Sequence, residues 1–142
     1  MKAELEKKLI EKYPVILQET KLDEMQSCLA FGLEISDGWY DILDMLMRQL
    51  QWNTDKNGYP QVIAQQIKEK FGGLRFYYRT DDLGNPKSRN VDETCGNIEG
   101  MIRMAEAMCD ITCEQCGAKG ETRKGGWIVT LCDECNAERG SK

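Results

Sequence analysis

Histidine is absent from all 142 residues. That absence excludes Ser-His-Asp and Cys-His relays and removes the commonest general base near neutral pH. Proline is scarce, with three residues, and no polar low-complexity run is present, so long disorder is not expected. No apolar run approaches the ~18–20 residues that crossing a bilayer requires. The first residues, MKAELEKKLIEKYP, alternate charge with leucine and lack the apolar block of a signal peptide. A cytoplasmic setting without membrane contact is therefore expected, where thiols stay reduced. A basic excess is missing too. The net charge of −5 and pI near 4.9 argue against a protein that coats nucleic acid non-specifically.

What is present begins with helical periodicity. Leu5 and Leu9 lie one turn apart on a Glu/Lys background, which predicts a helix over residues 2–12 ended by Pro14. Two short helical pieces are expected across 15–30. Phe31, Leu33 and Ile35 alternate like a short strand, after which Ser36 or Asp37 is placed to cap a helix. That helix has the strongest pattern of the chain, with Trp39, Ile42, Leu43, Leu46, Met47 and Leu50 on one stripe. NTDKNGYP, residues 53–60, reads as its turn-rich exit.

Residues 61–71 admit two readings. As a helix, Ile63, Ile67 and Phe71 repeat every four residues. As a strand, 62–71 pairs with 74–80 through a Gly72-Gly73 turn. The hairpin is favoured because one register, with 71 facing 74, puts Ile63, Ile67, Phe71, Leu74, Phe76 and Tyr78 on one face. Glu69 is the exception on that face. The other face then carries Lys68, Lys70, Arg75, Tyr77 and Arg79, with Lys70 opposite Arg75. Like charges directly opposed are destabilising, so an anionic ligand or acidic partner over this face is a functional reading, with Tyr77 able to stack on a base. A solvated outer face is the plain alternative. Residues 61–90 hold six basic and three acidic side chains between acidic flanks. Asp81–Asn90 reads as a polar loop, and residues 94–110 as an amphipathic helix running almost directly into Cys113.

The C-terminal thirty residues carry the clearest chemistry. Cys113, Cys116, Cys132 and Cys135 follow the pattern C-x2-C-x15-C-x2-C. Two such knuckles can place four thiolates around one Zn²⁺ tetrahedrally. Four protein ligands close the coordination shell, which points to a structural ion rather than a catalytic one. Gly125-Gly126 is placed to turn between Glu121–Lys124 and Trp127–Leu131, a ribbon hairpin. A redox dithiol pair is the alternative reading of these cysteines. Cys28, Cys95 and Cys109 have no histidine to activate them and read as ordinary thiols. Glu34, Asp37 and Asp41 bracket one strand-to-helix corner and can be read either as a Mg²⁺ site or as helix N-terminal charges.

Several stretches together resemble a known group. Phe31-Gly-Leu-Glu34, Asp37-Gly-Trp-Tyr40, Lys68-Glu-Lys-Phe-Gly-Gly-Leu-Arg-Phe-Tyr77, Ala105-Glu-Ala107, Thr112-Cys-Glu-Gln-Cys-Gly117 and Gly125-Gly-Trp-Ile-Val-Thr-Leu-Cys-Asp133 are similar to motifs in a family of small phage, prophage and bacterial proteins. Some members resemble this chain with His in place of Cys135, a swap that keeps a zinc ligand. The resemblance implies context more than mechanism. It suggests a phage accessory protein acting in the host cytoplasm, one that binds a host component such as an immune protein or its signalling nucleotide.

The expected fold is α+β, with helices packed on a small antiparallel hairpin and a C-terminal zinc ribbon built on four cysteines. Residues 1–30 are expected to form an N-terminal helical segment, 31–111 the α+β core, and 112–142 a ribbon docked on it. The expected function is non-enzymatic and no catalytic residue is assigned. The chain reads as a zinc-stabilised binding or regulatory protein. A nucleic-acid-binding zinc-ribbon protein is one alternative. A metal-dependent enzyme using Glu34, Asp37 or Asp41 is another.

Overall fold

A computed structural model describes residues 1–82 and 91–140. Most of the expected 81–90 loop lies outside the described residues. The architecture is α+β, with helices on a two-stranded antiparallel sheet and a small cysteine-bearing hairpin at the C-terminal end. No described helix is long and apolar enough to cross a membrane.

Helix α1 (Ala3–Lys12) seats Leu9 in the core. The next stretch holds two 3-10 turns, Gln18–Lys21 and Cys28–Phe31. Helix α2 (Tyr40–Asn57) buries Leu43, Leu46, Met47 and Leu50, as the stripe predicts, with Trp39 fully buried just before it. Its ends differ from expectation. Ser36 and Asp37 do not cap it; a 3-10 turn, Asp37–Trp39, intervenes. Asp37 instead accepts the Lys2 backbone N–H at 2.7 Å and pairs with its ammonium at 3.1 Å. At the far end the helix runs on to Asn57, well into the expected turn. Asn53, Thr54 and Asn57 bond back to Gln49, Leu50 and Asn53, so their polar groups are satisfied without leaving the helix. Gly58, at φ 69°, ends it in left-handed geometry, where the Gly58 and Tyr59 N–H groups both reach the Asn53 carbonyl.

Residues 61–70 are strand, not helix, and Phe71 lies in the turn that follows. Strands β1 (Gln61–Lys70) and β2 (Gly73–Asp81) pair antiparallel, with Lys70 opposite Gly73, Lys68 opposite Arg75 and Ile67 opposite Phe76. The turn is Phe71-Gly72, one residue earlier than Gly72-Gly73. Both turn residues have positive φ, 55° and 77°, as a tight primed turn requires. The faces survive this slip because pairing shifts by two residues and side chains alternate with period two. Phe71 does not face inward; it is exposed at the tip. Glu69, the apparent exception, accepts the Gly72 N–H at 2.6 Å and so braces the turn. A bulge between Ala64 and Gln66 breaks the alternation further along. Ile63 therefore sits opposite Arg79, on the face away from Ile67.

The expected strand at 31–35 shrinks to one bridge. Glu34 pairs with Lys68, bonding to Ile67 and Glu69 at 3.0 Å each. Phe31 lies in a 3-10 turn, exposed, and Gly32 at φ 87° bends the chain between them. Together with the Ala64 N–H bond to Ile16, the bridge covers part of the outer edge of β1.

Phe71 occupies backbone space that costs an L-residue roughly 1–2 kcal/mol. Phe71→Asn makes an Asn-Gly turn, so we expect a stability gain of about 0.5–1 kcal/mol, read as a higher Tm. A lower Tm would mean that the ring makes contacts that outweigh its strained backbone.

Helix α3 (Val91–Cys109) lays Ile98, Ile102, Ala105 and Cys109 on the same core as α1, α2 and the sheet. The N-terminal segment shares that core through Leu9, Ile16, Leu17 and Leu29. After α3 come β3 (Glu121–Arg123), β4 (Val129–Leu131) and α4 (Asp133–Gly140). The β3–β4 hairpin matches expectation, although Trp127 falls outside it and is exposed. Helix α4 was not expected, since it has no buried residue and hence no apolar period to read.

Candidate metal centre

Four thiols meet at the C-terminal hairpin. The Sγ atoms of Cys113, Cys116, Cys132 and Cys135 all lie within 4.8 Å of one another. Cys116 and Cys132 Sγ are 3.7 Å apart. A tetrahedron with metal–sulfur bonds of ~2.3 Å has edges of ~3.8 Å, so this spacing fits one ion.

Each knuckle is shaped by its own backbone. In the first, the Gly117 N–H bonds to the Cys113 carbonyl at 2.9 Å, and the Cys113 N–H to the Ala118 carbonyl at 2.7 Å. Gly117 sits at φ 79°, which a side chain would disfavour. In the second, Cys135 lies within the first turn of α4 and its N–H points at Cys132 Sγ, 3.4 Å away. The α4 ladder starts with the Asn136 N–H bond to the Cys132 carbonyl at 3.0 Å.

The electrostatics match this geometry. Burial raises the Cys113 thiol, but N–H groups of Cys132, Cys116 and Gln115 outweigh it and bring it down to about 7. Cys135 is pushed up, first by its contact with Cys132 and then by burial and the other two thiols. Four sulfurs this close cannot all ionise without a cation among them. A soft divalent ion would supply that charge, and the donor set would leave it no open position.

The module is pinned to the core at several points. Trp39 Nε1–H donates to the Thr112 carbonyl at 2.9 Å, and the Gly38 N–H to the Glu114 carbonyl at 2.8 Å. Thr130 Oγ1–H donates to the Gly72 carbonyl at 2.7 Å, so β4 grips the tip of the β1–β2 hairpin. A Cβ on Gly72 would lie 3.0 Å from the Val129 backbone.

The basic face is smaller than its sequence suggests. Lys68, Lys70, Arg75 and Tyr77 lie on it. Lys68, not Lys70, opposes Arg75. Among the described residues none of these three cations has a carboxylate within ion-pair distance; Lys68 lies 5.7 Å from the Tyr77 ring centre. Arg79 does not belong with them. It pairs at 3.1 Å with Glu19, a buried carboxylate that also accepts the Ser27 hydroxyl at 2.7 Å. Glu19 is 60 residues away in sequence, so no local signal pointed to it.

Glu34, Asp37 and Asp41 do not converge. Glu34 lies near Gln66, Asp37 is tied to Lys2, and Asp41 is exposed. Among the described residues, the four cysteines are the only such cluster of potential ligands. Cys109 is buried and its thiol is pushed up to about 12, by burial first and then by Asp110 and Glu106. That is the behaviour of a core thiol rather than a nucleophile. Glu114 is the residue that sequence reasoning missed. It is buried within the first knuckle, one carboxylate oxygen has no hydrogen-bond partner among the described residues, and burial and then nearby Glu69 raise its pKa. No protein-family model matches the chain, and no curated protein or solved structure shows significant similarity to it.

Proposed function

We propose that the chain is a non-enzymatic, zinc-stabilised binding protein whose working surface is the basic face of the β1–β2 hairpin. The observation that carries this reading is the grip of β4 on the hairpin tip, through Thr130 and Gly72. It makes the metal module a clasp that holds Lys68, Lys70, Arg75 and Tyr77 in place. Zinc is the proposed ion because four thiolates in a closed tetrahedral set suit it.

The partner this surface fits is acidic: a host protein or an anionic ligand such as a nucleotide. Lys68 and Arg75 stand directly opposed, and among the described residues neither has a carboxylate within ion-pair distance. An anion laid over the pair relieves their repulsion. The resemblance to phage proteins adds the setting, an accessory protein that engages a host component.

The test is an affinity pull-down from bacterial lysate with the wild type and a Lys68→Glu/Arg75→Glu double variant. A specific partner is expected with the first and at least tenfold less of it with the second, at unchanged Tm. Equal capture by both removes the basic face from the proposal. Titration with single-stranded DNA and RNA distinguishes the nucleic-acid reading. Binding that falls steeply with salt, and is lost in the double variant, would favour it.

A further inference from the structure

A second feature lies away from the chemistry just described. Helices α2 and α3 run antiparallel, since Asn53 meets Met101 and Tyr59 meets Asn97. Between them opens a trough of about 600 Å³, a size typical of small-molecule sites between helices. From Gly96 to Met108 its floor spans ~18 Å at the helical rise per residue.

The trough has two unlike ends. One is lined by Ile42, Met45, Leu46, Met104 and Met108. The other holds Gln49, Asn53, Tyr59 and Asn97. Among the described residues no Asp, Glu, Lys or Arg lines it, so a charged group placed there would find no counter-charge among them. At the polar end Asn97 Nδ2–H donates to the Tyr59 hydroxyl oxygen at 2.8 Å. That bond leaves the Tyr59 hydroxyl proton and Asn97 Oδ1 unused among the described residues. One donor and one acceptor thus sit side by side.

Two glycines keep the space open. Gly96 and Gly100 lie inside α3, where glycine weakens a helix relative to alanine. A Cβ at either would meet nothing within 4 Å. Packing among the described residues therefore does not require them to be glycine. Both line the trough.

We propose that this trough is a binding site for one linear, uncharged amphiphile: an acyl chain on the methionines with an amide head at Tyr59 and Asn97. A secondary amide offers the carbonyl and the N–H that this pair can satisfy. Thioether side chains are flexible and polarisable, which suits a chain of variable shape. This site is independent of the basic hairpin face.

The test uses the full, metal-loaded chain and the neutral dye N-phenyl-1-naphthylamine, displaced by N-dodecanoylethanolamine or by dodecanoate at pH 8. The amide is expected to displace the dye at a concentration at least tenfold lower than the carboxylate. Gly100→Leu should weaken both dye and amide at least tenfold while Tm stays the same or rises, because the new side chain fills open space on a helix. Tyr59→Phe/Asn97→Leu should weaken the amide about fivefold and leave the dye unchanged. Absence of displacement, equal binding by Gly100→Leu, or preference for the carboxylate would overturn the proposal. So would a wild-type dimer that Gly100→Leu converts to monomer, which would make the trough a self-association face. Failure of this test with intact, charge-dependent pull-down leaves the hairpin reading standing.

Discussion

Cys113→Ser is expected to abolish the proposed one-to-one zinc binding and to unfold the C-terminal module while the α+β core stays folded. Cys113 is the one fully buried member of the four ligands. Its module has little else to hold it together. The buried cluster there consists of Cys113, Val129 and Leu131, with Cys132 and Cys135 packed beside it. Two apolar side chains contribute about 3–6 kcal/mol on burial, and conformational entropy at ~1–2 kcal/mol per ordered residue opposes them. Structural zinc in small modules is worth about 10–16 kcal/mol at neutral pH. Losing one thiolate removes much of that and leaves three sulfurs crowded without full compensation. Metal per chain, measured by elemental analysis, should fall from near one to near zero. Amide exchange should rise across β3, β4 and α4 and stay low in α2. A strong chelator acting on the wild type should reproduce the same pattern. Cys109→Ala is the control: it touches the core but should retain the metal. Full metal content and an unchanged exchange pattern in Cys113→Ser would refute the clasp.

Gly38→Ala is the second large expected effect, and it tests docking rather than metal binding. A Cβ at Gly38 would lie 2.1 Å from the Cys113 carbonyl oxygen, 2.6 Å from the Gly117 nitrogen and 2.7 Å from the Glu114 carbonyl carbon. All three are backbone atoms of the first knuckle, so no side chain can swing aside. The Gly117 N–H bond to Cys113 holds that backbone in place. The knuckle must therefore retreat as a unit. Doing so stretches the Gly38 N–H bond to Glu114 and the Trp39 indole bond to Thr112. Overpacking costs about 1–3 kcal/mol, and each lost hydrogen bond about 0.5–1.5 kcal/mol more. Destabilisation of about 2–6 kcal/mol is expected, with metal content still near one per chain. Gly140→Ala, where an added Cβ meets nothing within 4 Å, should change stability by less than ~0.5 kcal/mol. If Gly38→Ala melts like the wild type, the module is not seated on α2 as described.

These two substitutions separate what local pattern can express from what it cannot. Cys113 is legible because its role follows from spacing along the chain. The stripe from Trp39 to Leu50 is legible for the same reason, since a 3.6-residue period maps onto one helical face. Gly38 is not legible in this way. In sequence it is a glycine before a helix; only the knuckle that begins at Cys113, far along the chain, explains why it has no side chain. Helix α4 is invisible for the opposite reason, having neither a buried stripe nor a period.

The hairpin shows the boundary most clearly. Along β2 and from Ile67 to Lys70, alternation alone determined which residues share a face, because a slip of two residues leaves each of those side chains on its own side, whereas the bulge turned Ile63 to the other face. The spacing of four cysteines alone determined the candidate metal ligands, because each knuckle is a local turn. Tertiary structure decided the rest. It moved the turn to Phe71-Gly72, where Glu69 and Thr130 brace it, and so set Lys68 rather than Lys70 against Arg75. It removed Arg79 from the basic face by supplying Glu19, and it opened the trough between α2 and α3. Pairing and neutralisation depend on which distant groups arrive within a few ångströms. A local period carries no information about that distance.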